Sequence, residues 1–86
     1  MYYVYFLRSL SSDYRYVGYT SNLEIRLQQH NDGLNCSTKP YIPFEIDSYI
    51  AVGTEQKAKD LEKYFKTGSG IAFSRKRLLT YEALAK

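Results

Sequence analysis

Residues 14–31, YRYVGYTSNLEIRLQQHN, change from a strand pattern to a helix pattern at a single glycine. The stretch Tyr14 to Tyr19 is rich in aromatic residues, which favours a strand. Gly18 interrupts this strand, and a glycine there indicates either a β-bulge or a place where another backbone or a ligand approaches closely. This stretch therefore predicts a strand that leads directly into a helix.

The helix signals follow at once. Ser21 and Glu24 have the spacing of a capping box, which predicts a helix over residues 22–31 or 22–32 that is ended by Gly33. The start of this helix is thus predicted from side chains that lie close together in the chain.

Two stripes of side chains run along the predicted helix. Leu23 and Leu27 are four residues apart and form an apolar stripe toward the core. Arg26 and His30 have the same separation and form the neighbouring stripe. We therefore expect the guanidinium and the only imidazole of the chain to lie side by side at the edge of the core.

The N-terminal segment Tyr2 to Ser9, YYVYFLRS, predicts a first strand, and turn-forming residues after it predict an antiparallel hairpin. Because side chains alternate between the two faces of a strand, the loop length decides which tyrosines meet. An even loop places Tyr5 and Tyr16 on one face, with either Gly18 or Tyr16 opposite Tyr5. An odd loop separates them, and we expect the even loop.

A loop and a third strand follow. Residues 34–43 contain both prolines and Cys36, which predicts a loop, and residues 44–52, FEIDSYIAV, alternate as a strand. One face is predicted to carry Phe44, Ile46 and Ser48, and the other Glu45, Asp47 and Tyr49.

Two helices complete the chain. Thr54 predicts the cap of a helix over residues 55–66, whose apolar side should bury Ala58, Leu61 and Phe65. The glycines of GSG, residues 68–70, predict a break before a shorter, basic helix over residues 71–84.

The predicted elements indicate one α+β domain over residues 1–86, a small three-stranded antiparallel sheet flanked by helices, with residues 67–86 as a basic helical extension. A chain of 86 residues can form one hydrophobic core. No apolar run approaches the roughly 20 residues of a transmembrane helix, and no secretory signal pattern is present. Cys36 has no second cysteine to pair with. We therefore expect a cytoplasmic protein without a membrane partner.

The positive charge is concentrated toward the C-terminus. The net charge is +3, and residues 54–86 carry eight Lys or Arg against four Asp or Glu. Such a segment is typical either of a solvated helix face or of a surface that attracts a phosphate backbone. The residues expected to contact nucleic acid are Lys66, Arg75, Lys76 and Arg77.

Four short motifs follow one another in the chain. They are YVY at residues 3–5, YVG at 16–18, TSNLEIRLQQH at 20–30 and AKDLEKYFK at 58–66. No single motif is specific by itself, since YVY and YVG are common tripeptides. Together, in this order and with this spacing, they resemble the GIY-YIG nuclease superfamily, and in particular its short stand-alone bacterial members. The tail GSGIAFSRKRLL is similar to the tail of those proteins.

The resemblance implies endonuclease-type hydrolysis of phosphodiester bonds in structured or single-stranded DNA, in DNA repair or processing, with one divalent ion, Mg²⁺ or Mn²⁺. It implies no particular protein partner. The residues it assigns are Tyr5, Tyr16, Arg26 and His30 as catalytic residues, Tyr3 and Gly18 as motif positions, and Glu62 as the metal ligand.

The chain departs from the family pattern at two points. Tyr3 stands where the family name has glycine, and no asparagine follows Asn35, although many members carry one after the helix with the glutamate. The resemblance leaves the task of that asparagine to Ser69 or Lys66.

A tyrosine as general base needs a physical reason, since its ionisation at pH 7 costs about 4 kcal/mol from a pKa of about 10. A nearby guanidinium and metal ion lower that cost. Proton transfer to a second group, His30 or Tyr16, lowers it further. Both Tyr5 and Tyr16 remain candidates for the base.

Other interpretations use the same residues. Glu62 and Lys66 have the spacing of a solvated helical ion pair, and Arg26 could pair on the surface. Cys36 and His30 lack the further ligands of a zinc site. For the whole chain, a non-catalytic nucleic-acid-binding module and a protein-binding adaptor are the alternatives to a nuclease.

Overall fold

A computed structural model describes residues 1–79 of the chain. The elements follow the predicted order and confirm the α+β class. They are β1 (Tyr2–Ser9), β2 (Arg15–Thr20), α1 (Leu23–Asn31), β3 (Phe44–Val52), α2 (Glu55–Phe65) and α3 (Gly68–Arg77), with a short 3₁₀ helix (Lys39–Tyr41) in the loop between α1 and β3. Within residues 1–79, no helix is long and apolar enough to cross a membrane.

The three strands form one antiparallel sheet with β1 in the centre, in the order β2-β1-β3. Tyr5 pairs with Gly18 and Leu7 pairs with Tyr16. Because paired residues share a face, Tyr5 and Tyr16 lie on the same side, with ring centroids 6.2 Å apart. The predicted even loop and the shared face are confirmed.

Both faces of the sheet are covered. On one face Val4 and Phe6 of β1 pack against Ala58 and Phe65 of α2. On the other face a second cluster forms around β1 and the start of β3, and α1 covers it. Its buried members are Tyr5, Leu7 and Phe44, with Leu23 and Leu27 packed against them. The central strand is consequently buried from Val4 to Leu7, which holds Tyr5 rigidly.

The alternation predicted for β3 is wrong in its second half. The pairing with β1 shifts between Phe6 and Leu7, so that Leu7 pairs with Ile46 but Phe6 pairs with Ser48. This bulge moves Ser48 to the face of Phe6 and places Tyr49 opposite Tyr5. The Ser48 hydroxyl is buried without a hydrogen-bond partner in the part of the chain that is described.

The predicted capping box at the start of α1 is wrong by one residue. Asn22 caps the helix, and its side-chain oxygen accepts a hydrogen bond from the Ile25 backbone N–H at 3.1 Å. Ser21 lies outside the helix and is exposed. Asparagine and serine are nearly equal as caps, so only the backbone geometry at the end of β2 selects between them. Gly33 follows the helix with a φ of 76°, as predicted from its position.

The predicted break at GSG is also wrong. The predicted cap Thr54 is confirmed and α2 ends at Phe65, but α3 begins at Gly68 with Thr67 as its cap. The Thr67 hydroxyl accepts from the Gly70 backbone N–H at 3.2 Å. Both glycines lie in the first turn of α3, and Gly70 allows this turn to pack closely on the backbone of Tyr64 and Phe65 at the end of α2. The predicted C-terminal end, Leu84, lies outside the described residues.

Asn31, at the end of α1, joins this helix to the edge strand β3. Its side-chain oxygen accepts from the Phe44 N–H at 2.7 Å, and its amide N–H donates to the Phe44 carbonyl at 3.1 Å. One side chain therefore satisfies both backbone groups of the first residue of β3. This holds His30, the neighbour of Asn31, in its place above the sheet.

Replacing Asn31 with alanine should lower the free energy of unfolding by about 1–3 kcal/mol, because two partly buried backbone groups lose their partner. The matched control is Gln28→Ala in the same helix, which removes only an exposed hydrogen bond to Asp32 and should change stability by less than about 0.5 kcal/mol. Urea unfolding measures both. Equal effects would show that Asn31 contributes no more than a surface amide.

Candidate active site

A buried line of hydrogen bonds crosses the space between the sheet and α1. The Tyr5 hydroxyl lies 3.0 Å from Nε2 of His30, and Nδ1 of His30 lies 2.9 Å from the Thr38 hydroxyl. The exposed fractions are 1% for Tyr5, 1% for His30 and 0% for Thr38. Three side chains from a strand, a helix and a loop thus form one continuous polar contact inside the protein.

His30 lies deeper than the sequence predicts. We expected it at the edge of the core beside Arg26, but only Arg26 has that intermediate exposure. The imidazole is enclosed by the rings of Tyr16 and Phe44, with centroids 5.0 and 6.1 Å away. Aromatic residues on the covered face of the sheet therefore complete the pocket that holds it.

At Gly18 the side chains of Tyr5 and Tyr16 approach the backbone closely. A methyl group on this residue would lie 2.7 Å from the Tyr5 hydroxyl and 2.9 Å from the Tyr16 ring. The pairing of β1 with β2 runs without a shift through this point. Of the two interpretations of Gly18, the bulge is thus excluded, and the glycine makes room for the Tyr5 hydroxyl beneath His30.

The electrostatic environment keeps both central groups uncharged. Burial, with the neighbouring Tyr16, raises the pKa of Tyr5, while the Arg26 guanidinium acts in the opposite direction. Burial and the positive charge of Arg26 lower the pKa of His30. At neutral pH the structure therefore holds a phenol against a neutral imidazole, with a permanent positive charge beside them.

An open cavity of about 450 Å³, here called the basin, lies beside this line of hydrogen bonds. Arg26, Gln29 and His30 of α1 form one wall, and Leu34, Asn35 and Cys36 of the following loop form the other. Arg26 and His30 thus connect the buried network to open solvent. A phosphate group entering the basin would meet the guanidinium.

The negative charge of Glu62, on α2, acts on Tyr5, since it contributes to raising the pKa of that tyrosine. Its side chain is 21% exposed and accepts a hydrogen bond from the Lys66 ammonium at 2.9 Å. The helical ion pair with Lys66 is therefore present. Glu62 belongs both to a local pair and to the electrostatic surroundings of Tyr5.

The carboxylate of Glu62 is the predicted ligand of a divalent ion. Within residues 1–79, no group of three or more His, Cys, Asp or Glu side chains is placed to hold a metal ion. Mg²⁺ commonly takes only one or two carboxylates and keeps water and phosphate oxygens as its other ligands. The partly exposed carboxylate of Glu62 fits an ion of that kind. Zinc needs three or four protein ligands, which the described residues do not bring together.

The other predicted site residues lie around this centre. Tyr3 packs its ring edge against Tyr49 at 5.8 Å, two positions along the strand from Tyr5. Lys66 and Arg75 line a second cavity of about 290 Å³ between β2 and α3, together with Arg15. Arg77 lies over the Phe73 ring at 5.6 Å.

The basic end of α3 is separate from the buried network. The side chains of Arg75, Lys76 and Arg77 are exposed. Within residues 1–79, none of them forms a hydrogen bond or ion pair with the network of Tyr5, His30 and Thr38. The structure therefore brings together the predicted catalytic residues but leaves this basic group at a different surface.

Thr38 is the site residue that the sequence did not reveal. It lies in the proline-containing loop and is eight residues from His30 in the chain. A threonine in such a loop is common and carries no signal of a contact with a histidine. Only the path of the loop back over α1 brings the hydroxyl to Nδ1.

Comparisons with known proteins identify the family of the chain. Residues 1–72 match the family model described as the GIY-YIG catalytic domain. A UPF0213 protein of Bacillus licheniformis is 38% identical over 52 residues, which cover 59% of this chain. The alignment spans 54% of that relative, or about half of its length. No solved structure matches the chain.

Proposed function

The chain belongs to the GIY-YIG nuclease superfamily, and we propose that it is a metal-dependent endonuclease that hydrolyses DNA phosphodiester bonds in DNA repair or processing in the cytoplasm. The observation that carries the proposal is the buried contact of Tyr5 with His30 next to the basin of Arg26. A phenol, a neutral imidazole and a guanidinium are chemically suited to move a proton and to bind a phosphate.

In the proposed reaction a water molecule attacks the phosphorus atom. The Tyr5 oxygen takes a proton from that water while the Tyr5 proton passes to Nε2 of His30, so the phenol never carries a full charge. Burial makes free ionisation of Tyr5 unfavourable, and the simultaneous transfer of the two protons avoids it. The leaving oxygen departs from phosphorus and is protonated by solvent.

Tyr16 remains the alternative base. Its ring lies beside both Tyr5 and His30, with centroids 6.2 and 5.0 Å away. Tyr5 is the better supported candidate because it is the tyrosine whose hydroxyl contacts the imidazole. In this proposal Tyr16 packs against both groups and orients them.

Arg26 and Glu62 act on the phosphate in the proposal. The Arg26 guanidinium, whose planar fork suits two phosphate oxygens, would hold the scissile group in the basin. Glu62 would bind the divalent ion, Mg²⁺ or Mn²⁺, after release from Lys66. When bound, such an ion neutralises charge that develops on the phosphate oxygens.

The backbone of the DNA beyond the scissile phosphate requires further cations. Lys66, Arg75, Lys76 and Arg77 form the basic surface proposed for this contact. Exposed cations contribute through the release of counterions, so binding should weaken as the salt concentration rises. Ser69, in the first turn of α3, is the proposed substitute for the asparagine of other members.

The test is a cleavage assay on duplex, single-stranded and branched DNA with Mg²⁺ or Mn²⁺ and with a chelator. Cleavage should require the ion. In Glu62→Gln the Mg²⁺ concentration for half-maximal rate should rise roughly tenfold or more, because the carboxylate charge is lost. Glu55→Gln is the matched control, since it neutralises an exposed glutamate of the same helix and should leave the ion requirement unchanged.

Two outcomes would contradict the proposal. If none of the DNA substrates is cut under any condition with folded protein, the chain is not a DNA endonuclease. If DNA binding persists without metal and is unaffected by Glu62→Gln, a non-catalytic nucleic-acid-binding module is the better description.

A further inference from the structure

We infer that Thr38 is a positioning residue, which fixes His30 in the tautomer with its proton on Nδ1 and so leaves Nε2 to accept the proton of Tyr5. The tautomer follows from the hydrogen bonds and charges of the buried network. Its consequence for DNA cleavage rests on the proposed function.

The hydrogen bonds of Thr38 determine which way its hydroxyl points. The Thr38 hydroxyl donates to the Asn35 carbonyl, because a carbonyl oxygen can only accept; the two oxygens are 3.4 Å apart. A hydroxyl has one hydrogen, which is thereby used. The Thr38 oxygen can therefore only accept a hydrogen bond from Nδ1 of His30, which lies 2.9 Å away. The Nδ1 atom must carry the proton.

The protonation state of Nε2, on the other side of the ring, follows from the charge of the imidazole. Its surroundings are Arg26 on its own helix, Tyr5 and Tyr16 from the sheet, and the uncharged Thr38 and Phe44. The one permanent charge in this set is positive, so the ring stays neutral and has a single N–H. With that N–H on Nδ1, Nε2 has a lone pair and Tyr5 donates to it at 3.0 Å.

The opposite tautomer would leave the Tyr5 hydroxyl unsatisfied. With the proton on Nε2, the Tyr5 oxygen would have to accept, and its own hydrogen would lose its buried partner. Nδ1 would then need the hydrogen of Thr38, which would give up its bond to the Asn35 carbonyl, although that carbonyl would keep the Thr38 and Lys39 backbone N–H groups. A buried polar group without a partner costs about 1–3 kcal/mol, so the unpaired Tyr5 hydrogen favours the arrangement with Nδ1–H.

The turn around Thr38 holds the hydroxyl in place. The Thr38 backbone N–H donates to the Asn35 carbonyl at 3.2 Å, and the Asn35 side-chain oxygen accepts from the Ser37 N–H at 3.0 Å. Thr38 itself is completely buried. The acceptor for Nδ1 is thus built into a hydrogen-bonded turn, which is what a group that sets a tautomer requires.

The first test is a nitrogen-15 NMR measurement on untagged wild-type protein. His30 is the only histidine of the chain, so its ring signals need no assignment. At pH 7 the proton should be on Nδ1, with Nε2 unprotonated. A proton on Nε2, or a ring that exchanges between both forms, would overturn the inference whether or not the protein cleaves DNA.

The second test compares Thr38→Val with Thr38→Ser. Valine keeps the shape but removes the acceptor, so the NMR spectrum should show loss of the pure Nδ1–H form, and cleavage should slow roughly 10- to 100-fold. Serine keeps the hydroxyl and should retain the tautomer and most of the rate. Urea unfolding of both variants shows whether they are folded.

The outcomes distinguish the effect of Thr38 on the tautomer of His30 from its effect on cleavage. A Val variant that keeps the Nδ1–H tautomer would overturn the role of Thr38. A changed tautomer with unchanged cleavage would overturn its role in catalysis. Absence of cleavage in wild-type protein would contradict the proposed function but leave the NMR result as a valid test of the network.

Discussion

Replacing Tyr5 with phenylalanine is expected to slow DNA cleavage by about 10²–10⁴-fold, the range for loss of a general base. The phenol oxygen is the only atom removed, and the ring continues to fill its place between Leu7, Tyr16 and His30. The lost hydrogen bond leaves the buried Nε2 without a partner and should lower the free energy of unfolding by about 1–3 kcal/mol. The loss of rate should therefore far exceed any loss of folded protein, as measured by single-turnover cleavage and urea unfolding.

Two further variants make this prediction specific. Tyr49→Phe removes the hydroxyl of the residue that pairs with Tyr5 across the sheet but is 54% exposed, and it should cleave at the wild-type rate. Tyr16→Phe should slow cleavage less than Tyr5→Phe. A larger effect at Tyr16 would exchange the roles of the two tyrosines, and wild-type activity in both would contradict a tyrosine base.

Replacing Gly70 with alanine should destabilise the protein by about 3 kcal/mol or more, the upper part of the range for overpacking. The added methyl group would lie 1.9 Å from the Tyr64 carbonyl oxygen and 2.7 Å from the Phe65 Cα. Both are backbone atoms of the end of α2, which cannot rotate aside as a side chain can. Helix α3 would have to move away from α2, and thermal or urea unfolding would report it.

The matched control lies two residues earlier in the same helix. At Gly68 an added methyl group meets no atom within 4 Å. Alanine there should leave stability unchanged or raise it by up to about 1 kcal/mol, because alanine is the better helix former. Replacing glycine with alanine is thus expected to lower the stability at position 70 and not at position 68. Similar behaviour of the two variants would show that α3 does not pack on α2 as described.

Much of the fold could be predicted because the signals are local. The tyrosine-rich strands, the even hairpin loop and the Thr54 cap each depend on residues within a few positions of one another. The same holds for the stripe of Leu23 and Leu27. These signals establish the order of the elements and the α+β class. The motifs in that order also indicated the family, which the match over residues 1–72 confirms.

Several features were decided only by contacts between distant parts of the chain. Whether Ser21 or Asn22 caps α1 depends on how β2 ends, and the face of Ser48 depends on a bulge set by pairing with β1. The GSG segment was predicted as a break because glycine is a poor helix former. In the structure it forms a helix, since Gly70 allows the backbones of α2 and α3 to touch.

The sequence by itself determined which chemical groups the site could contain: the phenols, the guanidinium, the imidazole and the carboxylate. Only the tertiary structure decided their contacts, because Tyr5 and His30 are 25 residues apart and Thr38 comes from a loop without a local signal. A side-chain hydrogen bond depends on positions within tenths of an ångström, and the packing of α1 over the sheet sets those positions.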